Sequence, residues 1–565
     1  MKVSDYIVEY LIKKDICDIF GYPGGMVTHF MDSCAKYSDK INSHVTYHEQ
    51  GAAFAACGYA QTSGKPGVAY ATSGPGATNL ITGICNAYFD SIPTIFITGQ
   101  VNSYELKGNY EVRQRGFQET DIVSMVRPVT KYAVSIQDAS KIPAELDKAY
   151  NIAISNRMGP VLLDISMDVF HSEISADYYS CSSNSFEDSS DLTSIISVLK
   201  AELSAAKAPV FIIGNGLKIS GESQTIRREL NRLSIPVVSS MIAFDIMNTT
   251  PCYYGFVGAY GTRAANFIIA KSDLVIAIGT RMDIRQVGKD REGFAPNAKL
   301  VRFDVDPGEL SYRVHGDEYQ ICTTIASVAN ALKQLEIGNA HKEWVAVCDK
   351  IKSALESIDD TLIGSKIALI SETVPDEVAI TTDVGQNQVW IAQSFKTKCN
   401  QKILFSGGHG AMGYSLPAAI GAYYGTGKKM VYCFTGDGGM QMNIQELQFI
   451  AREEIPIKII VFNNNALGMI RHFQEMCFEG RYFQTKPAGG YSSPEFAKIA
   501  KAYGINSRQV ELQNIQSIEW LDGPELLEIM IRDDTYISPK LEFGKPNQDQ
   551  EPLLDRELYN YLMEL

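Results

Sequence analysis

At 565 residues the chain is far longer than the roughly 250–300 at which one hydrophobic core stops growing, so about two to four domains are expected. Its formal charge of −14, with no cluster of Lys and Arg, excludes a nucleic-acid footprint, and 45% apolar with 21% charged residues describes an ordinary globular protein. The 11 cysteines are scattered, without a Cys-x-x-Cys pair or a zinc-like Cys/His spacing, which fits reduced thiols in a cytoplasmic protein.

The first element, MKVSDYIVEYLIKKD, spaces Tyr6, Ile7, Tyr10 and Leu11 as one face of an amphipathic helix rather than as a signal peptide. No later run is long and apolar enough to suggest a membrane span. Short β-rich runs then alternate with helical patterns, as expected of parallel sheets covered by helices. Block 1–172 carries the strands PGVAYATS, TIFITG and GPVLLDIS. A Ser-rich stretch, SEISADYYSCSSNSFEDSSD (172–191), reads as a linker. Block 192–335 carries APVFIIG, DLVIAIG and KLVRFDVD, and a helical connector follows to about residue 365. Block 365–540 carries EVAITTDVG, KMVYCFTG and IKIIVFN. The tail, 541–565, is charged with apolar anchors and is expected to wrap or cover something. The fold class is α/β, with three doubly wound parallel-sheet domains and no visible sequence repeat.

In open parallel sheets ligands sit beyond the carboxyl ends of the strands. Asp437 follows MVYCFT and Asn464 follows IKIIVF, one strand–helix–strand crossover later, so both reach the same edge. A carboxylate, an amide oxygen and a backbone carbonyl make a hard-oxygen set for Mg²⁺, which completes its shell with phosphate oxygens and water. Gly436, Gly438 and Gly439 let the backbone approach those phosphates, and VGQNQ brings Gly385, Gln386 and Asn387 as further diphosphate contacts. Taken singly, GDGG is a turn and Asn-Asn a helix cap; at matched strand ends they read as a metal–diphosphate clamp. In the first block, YHEQGAAFAACGYA sets Glu49 at the head of a small-residue helix. Burial there would raise the carboxyl pKa and favour its proton-donating form, with a structural cap as the alternative.

With HEQ at 48–50, SGPGATN at 73–79, the GDG…NN pair and SGGHGAMGYSLPAAIGA at 406–422, the chain resembles the thiamine diphosphate enzymes of the acetolactate synthase group. The resemblance covers nearly everything but the tail, and implies pyrimidine-binding, FAD-binding-like and diphosphate-binding domains in that order. It implies that Glu49 hydrogen-bonds the aminopyrimidine ring and so assists ionisation of the thiazolium carbon. It implies that Asp437, Asn464 and the carbonyl of Ala466 hold Mg²⁺, and that Gly410, Met412 and Met469 meet the cofactor. Met412 would be the wedge that bends it; a methionine filling a core gap is the alternative. Glu49 and the clamp are implied to come from different subunits, which makes a homodimer, or a homotetramer of two such dimers, the active unit.

In the middle block, Gly214-Asn215-Gly216, GAYGTRAAN (258–266), GTRMDIRQVGK (279–289) and FDVDP (303–307) resemble the flavin domain of the same enzymes. Arg157, Gly214, Gly216, Gly261, Thr262, Arg281, Asp283, Asp304 and Val305 are carried over as cofactor contacts, with Gly407 and Gly408 beside them. FAD would be structural, and an acid after the last strand suits a ribose hydroxyl. Phe117 and Gln118 stand where the family has its active-site Phe-Gln. The departures concern the acceptor. Phe473 replaces the usual Trp, Met167 a Lys, and Ile284 the acid before Arg285, the expected carboxylate clamp. The link VNSYELKGNYEVRQRGFQE is also longer than usual and carries Arg113 and Arg115. The resemblance thus implies a carboligase that decarboxylates pyruvate, or a close 2-keto acid, and passes the two-carbon unit to a ketone. That acceptor is a second pyruvate, giving 2-acetolactate, or a keto-sugar nucleotide for a surface polysaccharide. A non-catalytic flavin-binding protein is the third reading, against which the retention of Glu49, Asp437 and Asn464 counts.

Overall fold

The computed structural model describes residues 1–175, 191–247, 249–338, 340–398, 400–542 and 544–565. Most of the stretch read as a linker, 176–190, lies outside the described residues. The amphipathic first element forms the helix Val3–Lys13 and buries Tyr6, Ile7, Tyr10 and Leu11. No helix among the described residues is long and apolar enough to cross a membrane.

The apolar runs build three parallel sheets of six strands each. The first contains β1 (Asp18–Gly21), β2 (Asn42–Val45), β3 (Gly67–Ala71), β4 (Thr94–Gln100), β5 (Tyr132–Ile136) and β6 (Pro160–Ser166), ordered β2-β1-β3-β4-β6-β5. The second contains β7 (Pro209–Ile213), β8 (Val237–Ser239), β9 (Tyr253–Phe256), β10 (Leu274–Ile278), β11 (Lys299–Asp304) and β12 (Glu318–Cys322), ordered β12-β11-β10-β7-β8-β9. The third contains β13 (Ala379–Thr382), β14 (Lys402–Leu404), β15 (Val431–Gly436), β16 (Ile457–Asn463), β17 (Asn506–Glu511) and β18 (Glu525–Met530), ordered β14-β13-β15-β16-β18-β17. The outer two sheets therefore share one strand order, a kinship the sequence does not display. The middle sheet has the order of a dinucleotide-binding fold.

The units share cores. Ala52–Ala60 of the helix Glu49–Ser63 pack in one apolar cluster with Ala418, Ala419, Ile420 and Ala422 of the helix Ser415–Gly425. The approach is so close that a Cβ on Gly421 would lie 1.8 Å from the Ala55 carbonyl oxygen. The run of small residues after Glu49 thus serves helix-to-helix packing between the first and third units. A second cluster joins the middle sheet to the outer face of the third through Phe211, Ile276, Ile367 and Phe434. The stretch read as a connector contains the helix Lys342–Leu355, whose Trp344, Cys348 and Ile351 pack with Phe267 of the middle unit. The tail wraps that same unit. The fully buried Arg263 guanidinium donates to the carbonyls of Gln550 and Pro552 and pairs with Asp359, while Leu554 and Leu562 enter the core beside Phe267.

Candidate functional site

In the third sheet the strand order reverses between β13 and β15, and the loops beyond their carboxyl ends converge there. Gly436 of β15 lies opposite Phe462 of β16, so Asp437 and Asn464 emerge side by side. The Ala466 N–H donates to Asp437 Oδ2 at 3.1 Å and to Asn464 Oδ1 at 3.2 Å, and the Tyr491 hydroxyl donates to Asp437 Oδ2 at 3.3 Å. Asn464 Nδ2 donates to Gln386 Oε1 at 3.3 Å, and Gln386 Nε2 reaches the Thr535 carbonyl. Gln386 and Asn387 open the helix Gln386–Ser394, capped by Gly385, and a Cβ on Gly436 would stand 3.3 Å from Asn387 Oδ1. Burial pushes the Asp437 carboxyl up to about 6, against the pull of the amides of Gly438, Ala466 and Asp437 itself and of the Tyr491 hydroxyl. A buried carboxylate beside an amide oxygen, with no ion pair among the described residues, fits a bound divalent metal.

Two of the glycines expected to admit phosphates have other neighbours. A Cβ on Gly439 would lie 2.4 Å from Asp383 Oδ1, and one on Gly438 would lie 2.7 Å from Met412 Cε. Asp383, which sequence reasoning passed over although it ends a strand at this same edge, accepts from the amides of Gly413 at 2.9 Å and Ser415 at 2.8 Å. It thereby ties the Gly410–Met412 loop to the GDGG turn; burial raises its carboxyl to about 6. Gly407 and Gly408 likewise direct their amides at Asp90, at 2.9 and 2.7 Å. Met469 packs half-buried on the helix Gly468–Cys477.

The first sheet presents Glu49 at the start of its helix. The carboxyl is half-exposed within the chain rather than enclosed, because burial begins at Gly51 where the helix meets the third unit. Asn79 Nδ2 grips Glu49 Oε2 at 2.9 Å, and Gly76 leaves room for Oε1. Gln118, in the left-handed region at φ 65°, packs on Gly74, and Phe117 beside it is 79% exposed. The third unit braces this edge from below. Glu446 Oε1 accepts the Tyr47 amide at 3.0 Å, and Asn443 Nδ2 donates to Gln50 Oε1 at 3.1 Å. Neither partner was legible in the sequence, since the bonds join residues 399 and 393 positions apart.

The middle sheet reverses between β7 and β10, where a cavity of roughly 350 Å³ opens toward both outer units. Its walls include Asn215, Gly216, Met241, Ile242, Phe256, Arg281, Asp283, Asp304, Val305 and Arg157, with Gly407 from the third unit. Asp304 is pushed up to about 6 by burial. Arg157 is committed to Asp306 and Glu309, at 2.9 and 2.5 Å. Gly214 lies under the Gly279 carbonyl. Gly261 and Thr262 are outside the wall: the Gly261 carbonyl accepts from Gln550 of the tail, and the Thr262 hydroxyl donates to the Tyr254 carbonyl. Arg285 lines the cavity with its guanidinium 5.7 Å from the Tyr260 ring centre. Phe473 stands on the third unit, 41% exposed and 5.7 Å from the Phe478 ring. A largely apolar cavity at the reversal of a dinucleotide-type sheet, with a carboxyl at a strand end, fits a dinucleotide such as FAD.

Three family models match in the order of the units: thiamine pyrophosphate enzyme, N-terminal TPP binding domain, over residues 1–125; the central domain over 196–335; and the C-terminal TPP binding domain over 383–520. Together with the three sheets, these matches define a thiamine pyrophosphate enzyme. The chain is 34% identical over 570 residues to a probable acetolactate synthase large subunit of Methanococcus aeolicus, covering 95% of this chain and 93% of the relative. It is 34% identical to the acetolactate synthase large subunit of Lactococcus lactis, over 96% of this chain and 94% of that one. It is 31% identical to the isozyme 2 large subunit of Escherichia coli, over 97% and 99%. The chain belongs to the thiamine pyrophosphate enzyme family, within the group of acetolactate synthase large subunits.

Proposed function

We propose that the protein is a thiamine diphosphate- and Mg²⁺-dependent carboligase that decarboxylates pyruvate and joins the two-carbon unit to a second pyruvate, giving 2-acetolactate. The observation that carries this reading is the buried Asp437, which accepts from the Ala466 amide and the Tyr491 hydroxyl, has no ion pair among the described residues and adjoins Asn464 at the edge of the third sheet. A divalent cation there offsets the cost of burying the carboxylate. Asp437, Asn464 and the Ala466 carbonyl would hold the metal; Gly385, Gln386, Asn387 and Gly436 would face the diphosphate. Met412, seated on Gly438, would support the middle of the cofactor with Gly410 and Met469 nearby. Bound in this way, thiamine diphosphate supplies the nucleophilic carbon and the electron sink that decarboxylation requires.

Glu49 would hold a proton at the aminopyrimidine ring, oriented by Asn79. Its half-exposed carboxyl supports completion of the site by a second copy, in a homodimer or a tetramer of two. Phe117 and Gln118 at the same edge would bind and orient the donor keto acid; Arg285 and Phe473 would face the acceptor. The middle cavity is assigned to a structural FAD, contacted by Gly216, Arg281, Asp283, Asp304 and Val305. The three relatives named above support pyruvate rather than a sugar as acceptor.

The test is product analysis of the cofactor-loaded protein given pyruvate alone. The expected outcome is one CO2 and one 2-acetolactate for every two pyruvates consumed. Release of CO2 that requires an added keto-sugar would overturn the acceptor assignment.

A further inference from the structure

We propose that a second cavity, at the junction of the three units, binds a small organic phosphate. The cavity measures roughly 510 Å³ and is walled by the end of the helix Glu49–Ser63, the loop 90–93, the segment 218–227 and residues of the loop leading into β14. It adjoins the middle cavity through Asp90, Ser91, Met158, Asn215, Ile219 and Ser220 but extends away from it, toward Arg227 and Lys402.

Its charges do not cancel. Lys218 is satisfied, by Asp245 at 2.6 Å and by the carbonyls of Ile242 and Ile403. Lys398 donates to the carbonyls of Glu372 and Val374. Arg227 has the Thr249 hydroxyl as its hydrogen-bond acceptor, and Lys402 has a long bond of 3.3 Å to the Thr62 carbonyl. Among the described residues Arg227, Lys398 and Lys402 form no ion pair. The two acids in the wall are already used, Asp245 by Lys218 and the Ile403 amide, Asp90 by the amides of Gly407 and Gly408.

Lys402 keeps an exposed side chain, and partial burial together with the neighbouring Lys218 charge depresses its pKa below that of an ordinary lysine. An anion placed between Arg227 and Lys402 would relieve that cost. Arg227 and Lys402 both line this cavity, and a guanidinium with an ammonium suits the oxygens of a phosphate dianion better than a single carboxylate. Ile92, Pro93, Met158 and Leu404 give the same space an apolar wall, so the ligand needs an apolar body as well as its charge. Such a ligand would touch all three units at once.

Phenyl phosphate is the probe, measured by equilibrium dialysis against the holoenzyme saturated with thiamine diphosphate, Mg²⁺ and FAD. Inorganic phosphate and benzoate are run in parallel at constant ionic strength, which keeps screening equal. Phenyl phosphate is expected to bind at least about tenfold more tightly than either control, and K402M and R227M each to weaken it at least about tenfold. Turnover of pyruvate by both variants should stay within about twofold of the parent, since neither residue lies at the proposed reaction centre. The proposal is overturned if no binding is detected up to about 10 mM, if benzoate binds as tightly, or if both variants retain the parent affinity.

Discussion

The first and third sheets have the same strand order, yet their carboxyl edges carry opposite chemistry. The third sheet places Asp437 and Asn464 in a buried, inward-turned cluster with Gln386 and Tyr491. The first sheet places Glu49 at an open edge, held by Asn79 and flanked by the exposed Phe117. One topology thus provides a buried carboxylate–amide cluster and, separately, a carboxyl left partly exposed. The two are mechanically joined, because the segment that follows the helix Asp437–Met442 supplies Asn443 and Glu446, which brace the turn bearing Glu49. The Glu446 carboxyl is pushed up to about 8 by burial, which favours its neutral form.

The largest expected effect comes from separating the two edges. E49Q should lower kcat for pyruvate by about 10²–10⁴-fold while thiamine diphosphate is retained, checked by turnover and by dialysis of bound cofactor. D437N should instead weaken Mg²⁺-dependent retention of the diphosphate by at least about tenfold, as loss of a direct ligand would. If both changes left retention untouched, the division of labour between the sheets would be broken.

A smaller effect is expected from the packing that ties the loops together. G439A would drive a methyl into the Asp383 carboxylate and should cost about 1–3 kcal/mol, read as a lower Tm in the cofactor-free protein. The smallest effect is a change in slope at Asp164 in β6, where burial raises the carboxyl to about 6 from the ordinary 3.8 despite bonds from Thr98 and Gln100. Because the folded value is the higher, its stabilising contribution is complete below pH 3.8 and is lost as pH rises through about 6. The parent Tm should therefore fall more between pH 4 and pH 7 than that of D164N, in which the group cannot ionise.

What could be read from the chain alone was whatever depends on neighbours in sequence. The strands around VAYA, VFII and VYCF followed from short β-branched and aromatic runs, and the emergence of Asp437 and Asn464 at one edge followed from their position just past two such runs. Parallel crossovers leave little choice about which end of a strand faces the ligand. What the tertiary structure decided were pairings between distant segments: Asp383 beneath Gly439, Asp90 against Gly407 and Gly408, Glu446 under Tyr47, and the tail carbonyls on Arg263. Local pattern carries no signal for these, because the partners come from other elements, about 30 residues away for Asp383 and more than 300 for Asp90 and Glu446. The helix after Glu49 shows the same limit: its small residues suggested a buried Glu49 carboxyl, but in the assembled fold they pack against another helix and Glu49 itself stays partly exposed.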